Sequence, residues 1–177
     1  MSEYKIAGST DPVTTEAGNL TEGIGFPLRP VDTGGAAGTS PVYGALYWST
    51  PAATTDINGV AAKAAGTTTS QELSDFTMPA DNRLTYTGTD TQVFECHAAL
   101  SVSTSQATTM TMYLYKNGVA VAGSEIDRKT SSNDVGAAVV SSLIELATDD
   151  YIELWVECSG TQSVTIQHRT LIATVVA

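Results

Sequence analysis

Strict alternation of side chains over residues 92–103, QVFECHAALSVS, is the feature that most constrains the fold of this chain. One set of alternate positions is apolar throughout: Phe94, Cys96, Ala98, Leu100 and Val102. The positions between them are mixed: Val93, Glu95, His97, Ala99 and Ser101. Because alternate side chains of a β-strand project from opposite faces, this period of two predicts a strand with one face against a core.

The same period returns along most of the chain after Tyr43. It is visible in YGALYWST, RLTYTG, TMTMYLYK, DYIELWVEC and SVTIQHRT. Asn117 and Gly118 follow one of these segments, and both residues tolerate the positive φ that a tight hairpin needs. No stretch shows a persuasive helical stripe of period 3.6. We therefore predict an all-β, antiparallel fold of about eight to ten short strands, either a sandwich or a jelly roll.

Residues 1–42 have a different composition, rich in Gly, Thr and Pro and without a strand or helix period. Their apolar residues are isolated: Tyr4, Ile6, Leu20, Ile24, Phe26 and Leu28. Such a segment buries too little surface by itself to offset its ordering entropy. We predict an extended N-terminal arm over 1–42, whose apolar side chains bind pockets on a partner, followed by one domain over 43–177. The alternative is an arm that folds back over its own domain.

The charge of the chain excludes some classes of partner. It has 177 residues, 8 basic and 19 acidic, and a net charge of −11. A surface with this charge repels phosphate backbones, so we expect no nucleic-acid partner. The sequence lacks a membrane-length apolar run and a basic-then-apolar leader, so we expect synthesis in a host cytoplasm and no membrane partner.

Candidate chemistry in the sequence is sparse. The tripeptide Glu95-Cys96-His97 cannot form one metal site, because Cys96 lies on the opposite strand face from its two neighbours. His97 and His168 lack the spacing of a zinc motif. The chain has no nucleophile elbow and no phosphate-binding glycine loop. We therefore expect no metal, no cofactor and no enzymatic activity.

The two cysteines, Cys96 and Cys158, both fall on the apolar faces of their predicted strands. This position predicts buried free thiols. A disulfide between them is possible only if the two strands lie opposite each other in the sandwich.

Large aromatic and charged residues alternate on strand faces opposite the predicted core. This set comprises Glu95, His97, Tyr113, Tyr115, Tyr151, Glu153, Trp155 and Glu157. Cross-strand pairing on a solvated face is one explanation. The explanation favoured here is burial against a neighbouring subunit, because Trp and Tyr are enriched at interfaces.

The order of elements over about residues 79–172 resembles a family of small phage structural domains. The resemblance rests on RLTYTG, a KNG hairpin, DVGAA and the pattern L-x-T-x-D-Y-I-E. These domains look like the trimeric jelly rolls of the tumour-necrosis-factor (TNF) and complement-head type. The resemblance implies that ALYW, VFECHAAL, DYIELWV and VTIQHRT form the sheet around a threefold axis. The residues it implies near that axis are Tyr47, Glu95, His97, Trp155 and Gln167.

Domains of this kind imply a structural role in a virion. The expected function is a homotrimeric decoration, or cement, protein on the outer surface of a phage head. Its partner is then the major capsid protein, which the arm binds through Ile24, Phe26 and Leu28, framed by prolines that favour an extended backbone. The alternative is a knob on a phage fibre or spike that binds a host receptor or glycan.

Overall fold

The computed structural model describes residues 3–4, 13–14, 41–48 and 53–176. The chain divides into two compact units, 1–39 and 40–177. In the first unit, β1 (Glu3–Tyr4) pairs antiparallel with β2 (Val13–Thr14). Of the six predicted arm contacts, Ile6, Leu20, Ile24, Phe26 and Leu28 lie outside the described residues, and only the backbone of Tyr4 is described.

The second unit is built from β-strands, and no helix occurs in the described ranges. Its first six strands are β3 (Tyr43–Trp48), β4 (Ala53–Asn58), β5 (Ala62–Lys63), β6 (Thr68–Ser74), β7 (Phe76–Thr77) and β8 (Leu84–Tyr86). The other seven are β9 (Gln92–Thr104), β10 (Thr108–Lys116), β11 (Val119–Ala120), β12 (Ile126–Thr130), β13 (Gly136–Leu146), β14 (Tyr151–Cys158) and β15 (Thr161–Val175). The prediction of an all-β, antiparallel fold is confirmed.

The strands form two sheets. The six-stranded sheet has the order β13-β9-β15-β3-β6, with β4 paired to β15 as well. The seven-stranded sheet has the order β11-β10-β14-β8-β7, with β12 on β10 and β5 on β14. Neighbours in each sheet are mostly distant in sequence, which is the connectivity of a jelly roll and not of a simple meander.

The core contains the inward side chains of both sheets. Phe76, Tyr86 and Phe94 form an aromatic cluster whose ring centroids lie 5.0–5.4 Å apart. Val42, the last residue of the predicted arm, is buried in this core. The alternation of β9 places Phe94, Cys96, Ala98, Leu100 and Val102 inward, as predicted.

Both cysteines are buried and free, which confirms that prediction. Cys96 lies in the six-stranded sheet and Cys158 in the seven-stranded sheet. Burial, with a smaller contribution from Glu95, raises the pKa of the Cys96 thiol to about 12. Burial and Glu157 raise the pKa of Cys158 to about 11. Both thiols are therefore protonated and unreactive at neutral pH.

The predicted tight turn lies between β10 and β11. Asn117 and Gly118 adopt φ values of 51° and 78°, which other residues accommodate poorly. The Asn117 side chain also joins this turn to β14: its Nδ2 donates to Asp150 Oδ1 at 2.6 Å, and its Oδ1 accepts the Tyr151 N–H at 2.9 Å.

A β-bulge interrupts β15. Its pairing with β9 shifts between Ile166 and His168, which leaves Gln167 as the extra residue. Residues before the bulge pair with β4 and residues after it pair with β3. Because the extra residue reverses the alternation, Arg169 is buried where an uninterrupted strand would expose it.

Candidate functional site

The outward side of the six-stranded sheet is the first candidate site, and we call it the open face. Its side chains include Tyr43, Ala45 and Tyr47 of β3; Thr69, Glu72 and Ser74 of β6; Val93, Glu95, His97, Ala99 and Ser101 of β9; Ala137, Val139, Ser141, Leu143 and Glu145 of β13; and His168, Thr170, Ile172 and Thr174 of β15. Several are large, apolar and exposed: Leu143 by 63%, Val139 by 58% and Tyr47 by 40%. Clustered exposure of this kind is characteristic of a surface that binds a partner.

The middle of the open face is a shallow trough of about 350 Å³. Strand register explains its shape, because Val139 pairs with Ala99, Ala99 with Thr170, and Thr170 with Tyr47. Small side chains therefore form the floor, and the larger Val139 and Tyr47 form opposite walls. The trough can accept a protruding apolar side chain of a partner.

No lysine or arginine of the described residues projects from the open face. Its charged residues include the acids Glu72, Glu95 and Glu145, and it also carries two histidines, His97 and His168.

Two cations of the seven-stranded sheet reach the edge of the open face. Lys116 Nζ donates to the Glu145 carbonyl at 2.6 Å, and Arg128 Nη1 donates to the Ala137 carbonyl at 2.5 Å. Described cations therefore border the open face at β13, and its middle favours an apolar contact.

The structure brings together most of the residues that the sequence assigned to a threefold axis. Tyr47, Glu95 and His97 lie on the open face, and Gln167 lies at the bulge beside it. The placement of Trp155 with them is wrong, because β14 pairs with β10, β8 and β5 in the other sheet. Alternation identified Trp155 as outward-facing, but alternation alone does not determine which sheet a strand joins.

Sequence reasoning missed the contribution of β13 to this face. Val139 and Leu143 point outward, while Val140 and Ile144 point into the core. Apolar residues on both faces of one strand were the available signal, since a strand with one solvated face alternates cleanly between apolar and polar residues.

The outward side of the seven-stranded sheet, here called the ladder face, is the second candidate. The Tyr115 and Trp155 rings stack with centroids 4.3 Å apart and planes 9° apart. Tyr113 meets Tyr115 edge-on at 6.1 Å. The Tyr113 hydroxyl donates to Glu157 Oε2 at 3.0 Å. Burial and Glu157 together raise the pKa values of both tyrosines.

Glu153 organises the charges of the ladder face. Its carboxylate is buried and accepts three donors: Arg83 Nε at 2.9 Å, Lys63 Nζ at 3.3 Å and Trp155 Nε1 at 3.1 Å. The Arg83 guanidinium also lies 3.9 Å from the centroid of the Tyr151 ring. These contacts within the chain support cross-strand pairing, and not a subunit interface, as the explanation for the aromatic residues on this sheet.

The described residues offer no evident metal centre and no membrane-spanning helix. No group of three or more His, Cys, Asp or Glu side chains in this part of the chain is arranged to hold a metal ion. No helix in the same ranges is long and apolar enough to cross a bilayer.

Comparison with known proteins identifies the fold. No protein-family model matches the chain, and no curated protein matches its sequence. Among solved structures, Eiger TNF from S. frugiperda aligns over 77% of this chain and 93% of its own, with a TM-score of 0.56 and 8% identity. Murine APRIL at pH 5.0 aligns over 71% of this chain and 98% of its own, with a TM-score of 0.46 and 11% identity. The chain has a TNF-like jelly-roll fold.

Proposed function

We propose that this chain is a structural protein that forms a homotrimer through its open face and decorates the outer surface of a phage head. The observation that supports the trimer is the exposed apolar side chains of the open face, from whose described strands no lysine or arginine projects. The resemblance to trimeric jelly rolls implies a position around a threefold axis for this sheet. Burial of a side chain such as Leu143, which is 63% exposed, contributes about 1–2 kcal/mol per copy.

The shape of the open face suits a threefold ring. A closed ring requires contact between two different patches of each copy. The open face supplies both: the exposed Leu143 toward the end of β13, and the trough with its walls of Val139 and Tyr47. In the proposed trimer, Leu143 of one copy packs into the trough of the next.

The proposed capsid partner rests on the resemblance to phage structural domains and on the composition of residues 1–42. Each arm offers only a few apolar side chains, such as Ile24, Phe26 and Leu28. Three arms on one trimer bind more tightly than one, because the first contact raises the effective concentration of the others. Binding to the assembled shell and not to separated subunits then stabilises the shell by mass action.

Co-sedimentation with phage heads that lack the protein tests the capsid role. The variant carries Phe26→Asp and Leu28→Asp in the full chain, and the control carries Thr15→Asp and Thr33→Asp. We expect the wild type and the control to sediment with heads and the Phe26/Leu28 variant to stay in solution with an unchanged mass. Equal sedimentation of all three proteins would contradict the arm model, and no sedimentation of any would contradict the capsid role.

Retention of the same proteins on a glycan array distinguishes the fibre-knob alternative. We expect no binding. Specific capture of the wild-type trimer by one glycan, together with failure to bind heads, would favour the receptor-binding function.

A further inference from the structure

Arg169 occupies an unusual position immediately after the bulge of β15. Only 3% of its surface is exposed. Its Nη1 donates to the Ala64 carbonyl at 2.7 Å and its Nη2 to the Gly66 carbonyl at 3.1 Å. The guanidinium carbon lies 4.8 Å from the centroid of the Trp48 ring. All of these partners are neutral.

No described carboxylate forms an ion pair with Arg169. The three ion pairs of the described residues involve Lys63, Arg83 and Lys116. Asp81 acts on Arg169 only through its electrostatic field, and its Oδ1 accepts the Thr68 N–H at 2.7 Å. Burial lowers the pKa of Arg169 to about 10, so the side chain remains cationic at neutral pH. Buried charges are normally neutralised by a direct partner.

Two N–H donors in the same stack have no acceptor among the described residues. These are Arg169 Nε and Trp48 Nε1, and both atoms are buried. Most buried polar groups in folded proteins have a hydrogen-bond partner, and an exception indicates a bound water, an ion or a functional role. Two such donors beside one uncompensated positive charge indicate a ligand that carries negative charge.

The trough of the open face borders this stack from outside. Trp48 and Arg169 both contribute to its lining, together with Tyr47 and His168, and it has a volume of about 350 Å³. Because the Trp48 and Arg169 side chains point inward, the stack lies behind the trough, on the core side of the sheet.

We propose that Trp48 and Arg169 bind a small monovalent anion of the halide class behind the trough. Arg169 Nε and Trp48 Nε1 donate to the anion, whose single charge matches the single guanidinium charge. A dianion would leave excess negative charge in a buried site that also feels the field of Asp81. The bound anion neutralises Arg169 and fastens β3 to β15 at the bulge, directly behind the surface proposed for trimer contact.

Thermal unfolding of the full chain at pH 7 and constant ionic strength tests the site, with sodium bromide replacing sodium gluconate. Gluconate is too large and too hydrated to enter. We expect the wild-type midpoint to rise with bromide concentration and to saturate. Trp48→Phe keeps an aromatic ring over Arg169 but removes Nε1, so its half-saturating bromide concentration should rise about tenfold.

Trp155→Phe is the matched control, because Trp155 Nε1 already donates to Glu153 on the other sheet. This variant should keep the wild-type bromide response. A crystal of the wild type grown with bromide should show an anomalous peak within hydrogen-bond distance of both donors.

Absence of that anomalous peak would overturn the proposal even if Trp48→Phe failed to fold. A bromide response that is equal in the two tryptophan variants would also overturn it, since a general salt effect acts on both. No bromide response in the wild type would assign the two donors to an internal water, which could also donate to the unpartnered Asn82 Oδ1.

Discussion

The open face and the ladder face are the outward sides of two sheets in one sandwich. They differ in how many contacts their side chains make within the chain. On the ladder face, Tyr115 stacks on Trp155, and the Glu153 carboxylate has three donors. On the open face, Leu143 and Val139 are exposed, and the described cations only border it, as Lys116 does at the β13 edge. Aromatic content alone is therefore a poor guide to an interface, because side chains that already have partners within their own chain gain less from a second subunit.

Removal of the Glu153 carboxylate from the ladder face should produce the largest loss of stability. Glu153→Ala leaves Lys63, Arg83 and Trp155 Nε1 without their shared acceptor, so we expect a loss of about 2–4 kcal/mol in the free energy of unfolding. Chemical denaturation measures it. Glu95→Ala on the open face is the control and should cost less than about 0.5 kcal/mol. Equal losses of stability would mean that the side chains of the two faces do not differ in how strongly they interact within the chain.

The hydrogen bonds of Asp150, which immediately precedes β14, should have the second largest effect on stability. Asp150 accepts from Lys116 Nζ at 2.8 Å, the Ala147 N–H at 2.8 Å and Asn117 Nδ2 at 2.6 Å. These hydrogen bonds outweigh the opposing effect of burial and lower its pKa below the usual value. Asp150→Asn should therefore cost about 1–3 kcal/mol at pH 7.

The pH dependence of that loss has a definite sign. A lowered carboxyl pKa means that the stabilisation is present above the unfolded pKa and disappears as the pH falls through the lower folded value. Denaturation curves from pH 7 down to pH 2 should show the wild type and Asp150→Asn converging in acid. If the stability difference between the wild type and Asp150→Asn stayed constant across that range, the charge of Asp150 would not be its cause.

The stacking of Tyr115 on Trp155 should give a smaller but measurable coupling energy. A double-mutant cycle with Tyr115→Ala and Trp155→Ala should yield an interaction of about 0.5–1.5 kcal/mol, because the rings are stacked. The mass of the protein in solution should not change in any of these variants. Dissociation of the trimer by Trp155→Ala would instead show that the ladder face is a subunit interface, as the sequence analysis favoured.

At pH 7 the smallest effect on stability concerns the thiols, one beneath each face. With pKa values raised to about 12 and 11, Cys96 and Cys158 stay protonated in the folded protein while unfolded thiols ionise near pH 8.5. Stability should therefore fall as the pH rises above about 8.5, and a thiol reagent should label both residues only at the rate of unfolding. Rapid labelling of either cysteine in native protein would show that its sheet opens locally.

Much of this architecture was predictable because local rules agree with the fold. The alternation of β9 and the Asn117-Gly118 turn are determined by pleat geometry and by the φ that a tight hairpin requires. The sheet joined by β14 was not predictable, since partner choice depends on long-range pairing, and Trp155 was assigned to the wrong surface for that reason.

The buried site at Arg169 was hidden by a different effect. In SVTIQHRT, uninterrupted alternation places Thr165, Gln167 and Arg169 on one face. The bulge at Gln167 reverses that order and turns Arg169 inward, and a single extra residue leaves no distinct pattern in one sequence. The contribution of β13 to the open face was easier to predict from the sequence, because Val139 and Leu143 give it apolar residues on its outward as well as its inward side.

In the proposed trimer the open face, and not the ladder face, joins copies of this chain. Light scattering of the wild type, Leu143→Glu and the control Ile126→Glu distinguishes the two faces. Leu143→Glu places a charge opposite Glu95 on the open face, whereas Ile126 is an exposed apolar residue on the other sheet. We expect three times the 18.4 kDa chain mass for the wild type and the control, and the single-chain mass for Leu143→Glu. A single-chain mass for the wild type, or dissociation by Ile126→Glu alone, would contradict it.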